Sequence, residues 1–518
     1  MSYSTYNPHL LDGIHRLHFI GVGGSGMYPL VQIMHKRGYQ ITGSDVEQTK
    51  VTDSEQAMGI KVFFGHAAEN IGNAQMIVYS AAIHEDNPEM QAAHAAGIPC
   101  IERSILLGFV SRVYEHSVCI SGTHGKTTTT SMFTTMLELA GRDPGAVIGG
   151  KLPLIGGYGK AGSGKSIVIE SCEYSETFLN LAPTLGVVLN IDNDHLEYYG
   201  TMENLKQAFR KFALLSRTVC YNADDTNTCD ALAGIDRPTI TFGITADADY
   251  KAVNIQEYKP GFYAFDVLEH GAPFAHLKLG VPGRHNVYNA LSLCCGVREL
   301  GLVPADAVRA AANFTGAGRR FQIKGECNGA PVVDDYAHHP AELRATLSTA
   351  RAMGYKRIIA VHQPFTYSRT KALMNDFAEV LSMADQVVLL PIMGSREVDD
   401  GSVRSEDLAA KLPGSVVVDG LKSAADWVKA HARPGDLVVC MSCGDLYKAC
   451  DMMVEYRRIN QQGPGNFPAP AGFLQSNAAQ CHVPIPRGFV RHALGQYRTI
   501  LSADAASEKC KLLSKKRR

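Results

Sequence analysis

Two glycine-rich turns, each placed between an apolar run and a helical pattern, constrain the fold of this chain most strongly. The first reads G-V-G-G-S-G at residues 21–26, where the apolar run 17–21 leads into it and apolar residues recur at helical spacing over 27–34. A second apolar run then ends at Asp45. Glycines in such a turn let the backbone approach a diphosphate at the positive end of a helix dipole. The pattern predicts a βαβ unit with a parallel sheet and a diphosphate-binding turn.

Two later segments compete for the role of a nucleotide phosphate loop. Residues 159–166, GKAGSGKS, fit the pattern G-x-x-x-x-G-K-[ST], whereas residues 122–130, GTHGKTTTT, have their first glycine too close to the second. The mechanism, however, requires a strand before the loop and a helix after it, because helix N–H groups bind the phosphates. Residues 159–166 lead into a strand pattern, while 122–130 follow one and begin a helical pattern that ends at Gly141. We therefore predict the phosphate loop at 122–128 and a surface loop at 159–166.

The residues of the predicted phosphate loop have separate roles. Gly122 and Gly125 let the backbone approach the phosphates without a Cβ in the way. Lys126 is expected to reach the β- and γ-phosphates, and the hydroxyl of Thr127 is expected to coordinate Mg²⁺. The loop thus predicts a nucleoside triphosphate bound together with magnesium.

Charge and composition are those of an ordinary folded protein, with 45% hydrophobic and 19% charged residues. Fifty Lys and Arg residues against 51 Asp and Glu residues give a net charge of −1. This balance gives no general argument for nucleic acid or an acidic membrane as a partner, and we expect neither. The thirteen cysteines are an odd number scattered through apolar runs, as small core residues are, and the lone C-x-x-C at 440–443 lacks the companions of a zinc site.

Targeting signals are also missing from the sequence patterns. No apolar run approaches the ~18 residues that a membrane-spanning helix needs. The N-terminus has neither a basic n-region nor an apolar h-region. We therefore expect a cytoplasmic protein.

The alternation of strand and helix patterns predicts an α/β fold with three domains, in keeping with the chain length of 518 residues. We place a Rossmann-like N-terminal domain at 1–113, a central P-loop ATPase-like domain with a parallel sheet at 114–318, and a Rossmann-like C-terminal domain at 319–458. Residues 459–518 are loop-like and end in a basic run, so we expect a partly disordered tail.

An ordered set of motifs connects the chain to a known family. The motifs are GVGGSGM (21–27), GTHGKTTT (122–129), NIDNDHLEYYG (190–200), GRHNVYNA (283–290), GAGRRF (316–321), DDYAHHP (334–340) and HQPFTYSRT (362–370). In this order they resemble the muramoyl ligases, the ATP-dependent peptide ligases of cell-wall precursor synthesis. The match spans about residues 14–450 and is specific, because many separate motifs agree.

The resemblance implies a function as well as a fold. It is greatest to the family member that joins L-alanine to the carboxylate of UDP-N-acetylmuramate through an acyl phosphate, in peptidoglycan precursor synthesis. ATP and Mg²⁺ would be the cofactors, UDP-N-acetylmuramate and L-alanine the substrates, and the enzyme would be a monomer or a homodimer. The first glycine turn would then hold the diphosphate of a UDP-sugar rather than that of NAD.

The resemblance also implies binding residues for the two nucleotides. For the UDP-sugar these are Gly21, Gly23, Gly24, Ser25, Gly26, Met27, Ser44, Asp45 and Ser80. For ATP they are Gly122, Thr123, His124, Gly125, Lys126, Thr127, Thr128, Asn286, Asn289, Arg320 and Asp335. The two asparagines lie three residues apart on one helical face and could read adenine, with capping of the helix start as the alternative.

The implied catalytic residues are Lys126, Glu170, His195, His338 and Arg369. Thr127 and Glu170 would hold a first Mg²⁺, and His195 a second one. The alternatives are an exposed strand-end acid for Glu170 and a structural role for His195. Arg369 and His338 would face the incoming amino acid and the transferring phosphoryl group. Because joining a carboxylate to an amine is uphill and the first step brings two anions together, catalysis consists mostly of positioning and charge neutralisation.

Several positions depart from the family pattern. Where relatives often read E-A-D-E-S-D, this chain has ESCEYS at 170–175, so Cys172 and Ser175 replace two acids. Thr366 stands where an arginine is common. Phe209 replaces a lysine that is carbamylated in many members, and the alanine-adding member lacks that lysine too.

Other functions remain open from the sequence. A murein-recycling ligase, which adds a tripeptide to the same sugar nucleotide, shares all the nucleotide motifs. An NAD-dependent oxidoreductase with Asp45 on the ribose would leave the second loop unexplained. A non-catalytic scaffold would not need to retain Lys126, Thr127, Glu170 and His195 together.

Overall fold

The computed structural model describes residues 7, 9–395 and 397–454. Within these residues the strands form three separate sheets, here called the N-terminal, central and C-terminal sheets. The predicted tail at 459–518 lies outside the described residues. Among the described helices, none combines the length and apolar character needed to cross a bilayer.

The N-terminal sheet is parallel throughout, as the βαβ pattern predicted. Its strands are β1 (Arg16–Ile20), β2 (Gln40–Asp45), β3 (Lys61–Phe64), β4 (Met76–Tyr79) and β5 (Cys100–Glu102), and its helices are α1 (Tyr28–Lys36), α2 (Lys50–Ala57), α3 (Pro88–Ala95) and α4 (Arg103–Arg112). The strand order is β3-β2-β1-β4-β5. The first glycine turn therefore lies between the middle strand β1 and helix α1, which buries Leu30, Val31 and Met34.

The central sheet is parallel in its middle and antiparallel at both ends. Its strands are β6 (His116–Ser121), β7 (Gly145–Leu152), β8 (Gly157–Lys160), β9 (Ser166–Glu170), β10 (Leu185–Val188), β11 (Thr218–Asn222), β12 (Thr239–Gly243), β13 (Tyr250–Lys259), β14 (Phe262–Glu269) and β15 (Ala272–Lys278). The accompanying helices are α5 (Lys126–Leu139), α6 (Leu196–Tyr199), α7 (Met202–Leu215), α8 (Thr226–Leu232), α9 (His285–Glu299) and α10 (Pro304–Asn313). The order is β15-β14-β13-β12-β11-β10-β6-β9-β7-β8.

This order places β6 between β9 and β10, and both pairs are parallel. The carboxyl ends of the three strands therefore meet at one edge, which is where open α/β sheets bind ligands. Gly122, Glu170 and Leu189 stand at these three ends.

The C-terminal sheet is parallel except for its first strand. Its strands are β16 (Gln322–Cys327), β17 (Ala330–Asp335), β18 (Arg357–His362), β19 (Gln386–Leu389), β20 (Val416–Val417) and β21 (Asp436–Met441), in the order β16-β17-β21-β18-β19-β20. Its helices are α11 (Pro340–Ala352), α12 (Tyr367–Ala372), α13 (Met374–Leu381), α14 (Ser405–Ala409), α15 (Leu421–His431) and α16 (Tyr447–Met453). The domain boundaries near 113 and 318 stay predictions, although each sheet lies within one of the predicted ranges.

Candidate active site

The turn after β6 has the geometry of a nucleotide phosphate loop. Gly122 and Gly125 have positive φ angles of 136° and 84°, and helix α5 begins at the next residue, Lys126. A Cβ on Gly125 would lie 2.7 Å from Oδ1 of Asn289, so a glycine is required by space as well as by conformation. The predicted context of strand, loop and helix at 122–128 is confirmed.

The competing segment at 159–166 has its polar groups engaged by the protein itself. Lys160 Nζ lies 2.6 Å from both Glu138 and Asp143, and Lys165 Nζ lies 2.8 Å from Glu115. Backbone N–H groups of residues 163 and 164 donate to Asp143. The segment then enters β9 instead of a helix, so it presents no helix N-terminus to an anion.

A cavity of about 640 Å³ opens at the head of helix α5, between the ends of the central strands and residues of the C-terminal domain. It brings together most of the residues that the sequence assigned to ATP and catalysis. They are Thr123, His124, Gly125, Lys126, Thr127, Thr128, Glu170, His195, Asn286, Asn289, Arg320, Asp335 and His338. Gly122 and Arg369 do not line this cavity.

The ammonium group of Lys126 is folded back onto the loop. Its Nζ donates to the carbonyls of Gly122 (2.6 Å) and Thr123 (3.1 Å), and to Oε1 of Glu173 (2.9 Å). Burial opposes the charge of Lys126, but the nearby carboxylate of Glu173 outweighs burial and raises the pKa of the lysine. The lysine therefore stays charged and loop-bound, and Glu173, whose side chain is 2% exposed, is its counter-ion.

Thr127 and Glu170 meet at the end of β9. The hydroxyl of Thr127 donates to Oε1 of Glu170 at 2.8 Å, and Arg320 Nη2 donates to the same hydroxyl oxygen at 3.1 Å. The other carboxylate oxygen of Glu170 accepts the N–H of Gly149 at 2.6 Å. Two adjacent oxygen donors at a phosphate loop form the donor set that Mg²⁺ prefers. The residues present therefore fit a magnesium ion.

His195 directly precedes helix α6 and has a left-handed backbone conformation (φ 60°). Its Nδ1 lies 3.4 Å from Glu197 and its Nε2 lies 3.7 Å from Asp194. Burial opposes protonation, but the hydrogen bond to Glu197 and the charge of Asp194 outweigh it and raise the pKa of His195. The ring of Tyr174 packs against it, with centroids 5.0 Å apart.

His124 connects the phosphate loop to the C-terminal domain. The Asn190 side chain accepts its backbone N–H at 2.8 Å and donates to its carbonyl at 3.1 Å. The His124 ring lies between Asp192 (3.0 Å) and Glu342 (3.5 Å). Burial opposes protonation here, but the hydrogen bonds to the two carboxylates outweigh it and raise the pKa of His124 to about 9. Together with His339, His124 and Asp192 form a group whose possible ligand atoms lie within 4.8 Å of one another.

Asp335 fixes the turn that carries Arg320. Its carboxylate accepts the backbone N–H groups of Phe321 (2.7 Å) and Ala337 (2.8 Å). Burial raises the pKa of Asp335 in spite of the Arg320 charge. The guanidinium of Arg320 lies over the ring of Tyr336, 4.7 Å from its centroid. Asp335 therefore fixes the backbone at Phe321, next to Arg320, and at Ala337, next to the Tyr336 ring on which Arg320 lies.

The two asparagines of helix α9 are linked to each other. Asn289 Nδ2 donates to Oδ1 of Asn286 at 2.9 Å, and Asn286 Nδ2 donates to the carbonyl of Pro282 at 2.7 Å. Neither side chain accepts a capping hydrogen bond at the start of the helix. Both are buried at the cavity wall beside Gly125.

Arg369 and His338 approach the cavity from the C-terminal domain. Arg369 Nη2 donates to Oδ1 of Asp194 at 2.9 Å. His338 Nδ1 lies 3.0 Å from the carbonyl of Tyr336 and 3.2 Å from Glu342. Burial lowers the pKa of His338 and outweighs the Glu342 charge, so the neutral form of its ring is favoured. Thr366 precedes helix α12, which carries Arg369, and has a φ of 66°.

The first glycine turn is held by its own polar contacts. Asp45 accepts the N–H of Gly23 at 2.9 Å, and a Cβ on Gly23 would lie 3.0 Å from the Asp45 carboxylate. Ser44 is fully buried and its hydroxyl donates to Glu89 at 2.7 Å, so the structure does not bring Ser44 to an exposed ligand surface. A Cβ on Gly26 would lie 3.3 Å from Arg103 Nη1, which places a guanidinium beside this turn.

Sequence reasoning missed several charged residues of these sites. These residues are Arg103, Asp192, Asp194 and Glu342. Sequence reasoning also did not predict that Glu173 is the counter-ion of Lys126. One signal was present: Asn190, Asp192 and Asp194 alternate directly after β10, where a strand end delivers every second side chain to one face.

Comparisons with known proteins agree with this architecture. Three family models match the chain: "Mur ligase family, catalytic domain" over 16–114, "Mur ligase middle domain" over 120–296, and "Mur ligase, glutamate ligase domain" over 319–444. The UDP-N-acetylmuramate–L-alanine ligase of Caldanaerobacter subterraneus subsp. tengcongensis is 40% identical over 452 residues, which cover 86% of this chain and 98% of that protein. The ligase of the same name from Acetivibrio thermocellus is 40% identical over 451 residues, covering 86% and 96%.

Solved structures of ligases have the same overall fold as this chain. The UDP-N-acetylmuramate–alanine ligase from Thermotoga maritima has a TM-score of 0.73 at 27% identity, covering 85% of this chain and 98% of that one. The murein peptide ligase from Psychrobacter arcticus has a TM-score of 0.67 at 21% identity, covering 85% and 98%, a likeness of fold alone.

Three α/β sheets, with a strand–loop–helix motif at a cavity lined by the central and C-terminal domains, and the three matching family models define the chain as a nucleotide-dependent ligase. It belongs to the Mur ligase family, which is a family of ATP-dependent ligases.

Proposed function

We propose that this protein joins L-alanine to the carboxylate of UDP-N-acetylmuramate with ATP and Mg²⁺, in peptidoglycan precursor synthesis. The names and the 40% identity of the curated relatives support these substrates. One observation carries the chemical part: Lys126, Thr127, Glu170 and His195 line a single cavity at the head of helix α5. The enzyme would act in the cytoplasm, as a monomer or a homodimer.

Phosphates of ATP would lie on the N–H groups of 122–128, at the positive end of helix α5. Lys126 would exchange its loop carbonyls for phosphate oxygens. Arg320 would reach the same phosphates from the C-terminal domain, because its guanidinium already lies 3.1 Å from the Thr127 hydroxyl. The buried asparagines 286 and 289 would face the base.

Thr127 and Glu170 would hold one Mg²⁺, and His195 would serve a second metal ion nearer the acceptor carboxylate. Bound magnesium supplies positive charge that offsets the phosphate oxygens. The oxygen donors of Thr127 and Glu170 support this assignment, since they lie 2.8 Å apart without intervening groups.

The first step brings the muramate carboxylate to the γ-phosphorus, where a new O–P bond forms and ADP leaves. Two anions meet in this step, so Lys126 and Arg320 lower its barrier by neutralising charge and fixing the line of attack. In the second step the free amine attacks the acyl carbon, the bond to phosphate breaks, and phosphate leaves. His338 and Arg369 would orient the amino acid at this point.

The C-terminal domain would also protect the acyl phosphate from water. Its residues Arg320, Asp335, His338 and Glu342 line the same cavity as the phosphate loop. Exclusion of water matters because hydrolysis would waste the activated acyl group. The diphosphate of the UDP-sugar would bind at the first glycine turn, with Arg103 as an added cation.

A tripeptide acceptor, as used by murein-recycling ligases, is the alternative. A phosphate-release assay with UDP-N-acetylmuramate, ATP and Mg²⁺ separates the two when L-alanine, L-serine, glycine and L-alanyl-γ-D-glutamyl-meso-diaminopimelate are each added as acceptor. We expect release that depends on L-alanine and a mass increase of the sugar nucleotide by one alanyl residue. Release with the tripeptide alone would reverse the assignment. A nicotinamide absorbance change without phosphate release would refute it altogether.

A further inference from the structure

Two histidines and an aspartate lie together where the phosphate loop meets the C-terminal domain. His124 belongs to the phosphate loop, Asp192 follows β10, and His339 directly precedes helix α11. One possible ligand atom from each residue lies within 4.8 Å of the other two. None of the three is a magnesium ligand in the proposed function. This set of three residues is here called the histidine site.

We propose that the histidine site binds Zn²⁺ or a related transition-metal ion, with the imidazoles of His124 and His339 and the carboxylate of Asp192 as its ligands. The ion connects the phosphate loop to the C-terminal domain, and ligation slows while it is bound. The inference goes beyond the proposed function, because the ion binds without substrates.

The ligand atoms of the histidine site select a different ion from magnesium. Imidazole nitrogen suits Zn²⁺, Cu²⁺ and Ni²⁺, whereas Mg²⁺ prefers oxygen ligands in nearly octahedral geometry. Thr127 and Glu170 offer oxygen atoms only. Two imidazoles and one carboxylate, with water as a fourth ligand, are a common set for zinc. We therefore expect each of the two ions to prefer its own site.

The distances within the histidine site suit a small ion. Asp192 Oδ2 lies 3.0 Å from His124 Nε2, close to the separation of about 3.3 Å for two atoms that each bind one tetrahedral zinc ion. The rings of His124 and His339 have their centroids 5.6 Å apart. Nε2 of His339 is buried and has no hydrogen-bond partner among the residues that the structure describes. An unpaired buried polar atom costs free energy, and a metal ion supplies the missing partner.

Neighbouring groups also favour a cation at this place. Glu342 Oε1 lies 3.5 Å from His124 Nδ1, and metal-binding histidines commonly direct their second ring nitrogen at a carboxylate. His124 thus lies between two carboxylates, and the ion takes the place of a proton on its ring. His339 Nδ1 accepts the N–H of Ala341 at 3.4 Å, a long hydrogen bond. When Nε2 binds an ion the ring proton lies on Nδ1, so only this weak contact is lost.

An ion in the histidine site restrains two domains that line the same cavity. The Asn190 side chain holds the backbone of His124 in the phosphate loop, and His339 stands at the start of helix α11 in the C-terminal domain. Coordination of both rings by one ion fixes these two elements to each other. Opening of a closed site limits product release in many enzymes. Zinc should therefore inhibit ligation without displacing magnesium.

The first test measures zinc binding by the full-length enzyme without substrates, in excess Mg²⁺ and in competition with a chromophoric chelator. The variants are His339→Asn and Asp192→Asn. The matched control is His195→Asn, because His195 lines the same cavity but lies outside the histidine site. Asparagine at position 339 keeps an acceptor for the start of helix α11.

Wild type should bind one Zn²⁺ tightly at the histidine site, and His195→Asn should bind it equally well. His339→Asn and Asp192→Asn should each weaken binding by at least about 10- to 100-fold, the cost of losing an outer contact of a metal ligand alone. Cobalt(II) reports the ligand set, because four-coordinate Co²⁺ with imidazole ligands absorbs visible light far more strongly than six-coordinate Co²⁺ with oxygen ligands. The strong band should appear in wild type and His195→Asn and be absent from His339→Asn.

The second test measures inhibition. Zinc should lower L-alanine-dependent phosphate release at saturating Mg²⁺, over the concentration range in which it binds, and added Mg²⁺ should not restore the rate. Relative to its own rate without zinc, His339→Asn should need at least about tenfold more Zn²⁺ for half-inhibition.

Four results would overturn the proposal. They are the absence of tight zinc binding in wild type, zinc binding that survives both His339→Asn and Asp192→Asn, inhibition that added Mg²⁺ reverses, and bound zinc that does not slow ligation. If one variant does not fold, as circular dichroism shows, the other decides the first test. Wild-type enzyme without L-alanine-dependent phosphate release would instead refute the proposed function, and the zinc measurements made without substrates would still decide whether the histidine site exists.

Discussion

The hydroxyl of Thr127 donates a hydrogen bond of 2.8 Å to Oε1 of Glu170, although the two residues are 43 positions apart in the chain. The parallel pairing of β6 with β9 produces this contact, because it brings the end of β9 beside the loop that follows β6. The half-buried position of Glu170 and its hydrogen bonds to Thr127 and Gly149 do not favour the alternative interpretation, an exposed strand-end acid. Two oxygen donors from separate segments converge where a nucleotide's metal would lie.

Substitution of Thr127 and Glu170 should show that the two act as a unit. We expect Thr127→Val and Glu170→Gln each to reduce ligation and to raise the Mg²⁺ concentration required for half-maximal activity. The double variant should be less impaired than the sum of the two effects, by about 0.5–3 kcal/mol of coupling. Steady-state kinetics over a magnesium titration measure this quantity.

A buried threonine on the same helix gives the control. Thr134 donates to the carbonyl of Thr130 and does not line the cavity, so Thr134→Val should leave the magnesium dependence unchanged. Strictly additive effects of the Thr127 and Glu170 variants would contradict a shared metal.

The two lysines of the competing glycine loops should behave in opposite ways. Lys126→Ala should abolish ADP formation, because the phosphates lose their main cation. Lys165→Ala changes the segment that fits the phosphate-loop pattern better, yet it should alter activity by no more than about twofold, since Lys165 forms only an exposed pair with Glu115. Coupled measurement of ADP release for both purified variants tests this, and the opposite ranking would invalidate the loop assignment.

Lys126→Ala should also lower stability, because it leaves the buried Glu173 without its counter-ion. Loss of one partner of a buried pair costs about 3–5 kcal/mol. The double variant Lys126→Ala/Glu173→Gln should recover much of that stability without recovering activity. Thermal unfolding of the two variants separates the structural role of the pair from its catalytic role.

The local pattern of apolar residues was sufficient to predict the fold class and the position of the phosphate loop. The strands at 116–121 and 166–170 and the helix from Lys126 are specified by their own apolar periodicity, so their context distinguished 122–128 from 159–166. Asn286 and Asn289 were assigned to the ATP site from the family resemblance, and helical spacing predicted only that they share one face of the helix, as the hydrogen bond between them confirms. These are local properties, which sequence periodicity reports directly.

Contacts between distant segments could not be obtained from pattern. The pair Asp194–Arg369 joins residues 175 positions apart, and only the docking of the two domains brings them together. Arg103 reaches the first glycine turn because β1, β4 and β5 are neighbours in the sheet. Ser44 was assigned to the UDP-sugar site from the family resemblance, but whether its side chain is buried depends on what packs over it, here Glu89.

Gly125 should not tolerate a side chain. Gly125→Ala would place a Cβ 2.7 Å from the Asn289 amide at a φ of 84°, so the start of helix α5 or the asparagine must move. We expect ligation to fall by about 100-fold or more, because small misplacements at a reacting site are costly. The matched control is Gly141→Ala, which has a similar φ of 70° but no atom within 4 Å of the new Cβ. It should lose about 1 kcal/mol of stability and keep its activity. Equal activity in both variants would contradict the space argument.

Two buried glutamates of the N-terminal domain have pKa values shifted in opposite directions. Glu55 is fully buried, and neither of its carboxylate oxygens has a hydrogen-bond partner among the residues that the structure describes. Burial, with a smaller contribution from Asp45, raises the pKa of Glu55 to about 8. The Glu89 carboxylate lies within 2.7–3.1 Å of polar atoms on His18, Ser44, His66 and Asn70. Burial opposes ionisation of Glu89, but these hydrogen bonds outweigh it and lower its pKa to about 2.

The two shifts act on stability in different pH ranges. Folding raises the pKa of Glu55 from 4.5, so the folded state binds more protons than the unfolded state and stability falls as pH rises from about 4.5 to 8. Folding lowers the pKa of Glu89, so its contribution is complete above about 4.5 and is lost as pH falls toward 2. Glu55→Gln should therefore stabilise the N-terminal domain at pH 8, by on the order of 3 kcal/mol, and should have little effect at pH 4.5.

Glu89→Gln should destabilise the N-terminal domain at neutral pH, because a neutral amide cannot accept hydrogen bonds from all four neighbours of the Glu89 carboxylate. A loss of about 1–3 kcal/mol at pH 7 is expected. Hydrogen exchange of the backbone amides in β1, β2 and α2, corrected for the intrinsic pH dependence, reports the stability of this domain alone. Only a proton held by Glu55 in the folded state makes the stability change of Glu55→Gln depend on pH. If Glu55→Gln lowered the protection of these amides equally at pH 4.5 and pH 8, the carboxyl group of Glu55 would be ionised or hydrogen-bonded in solution.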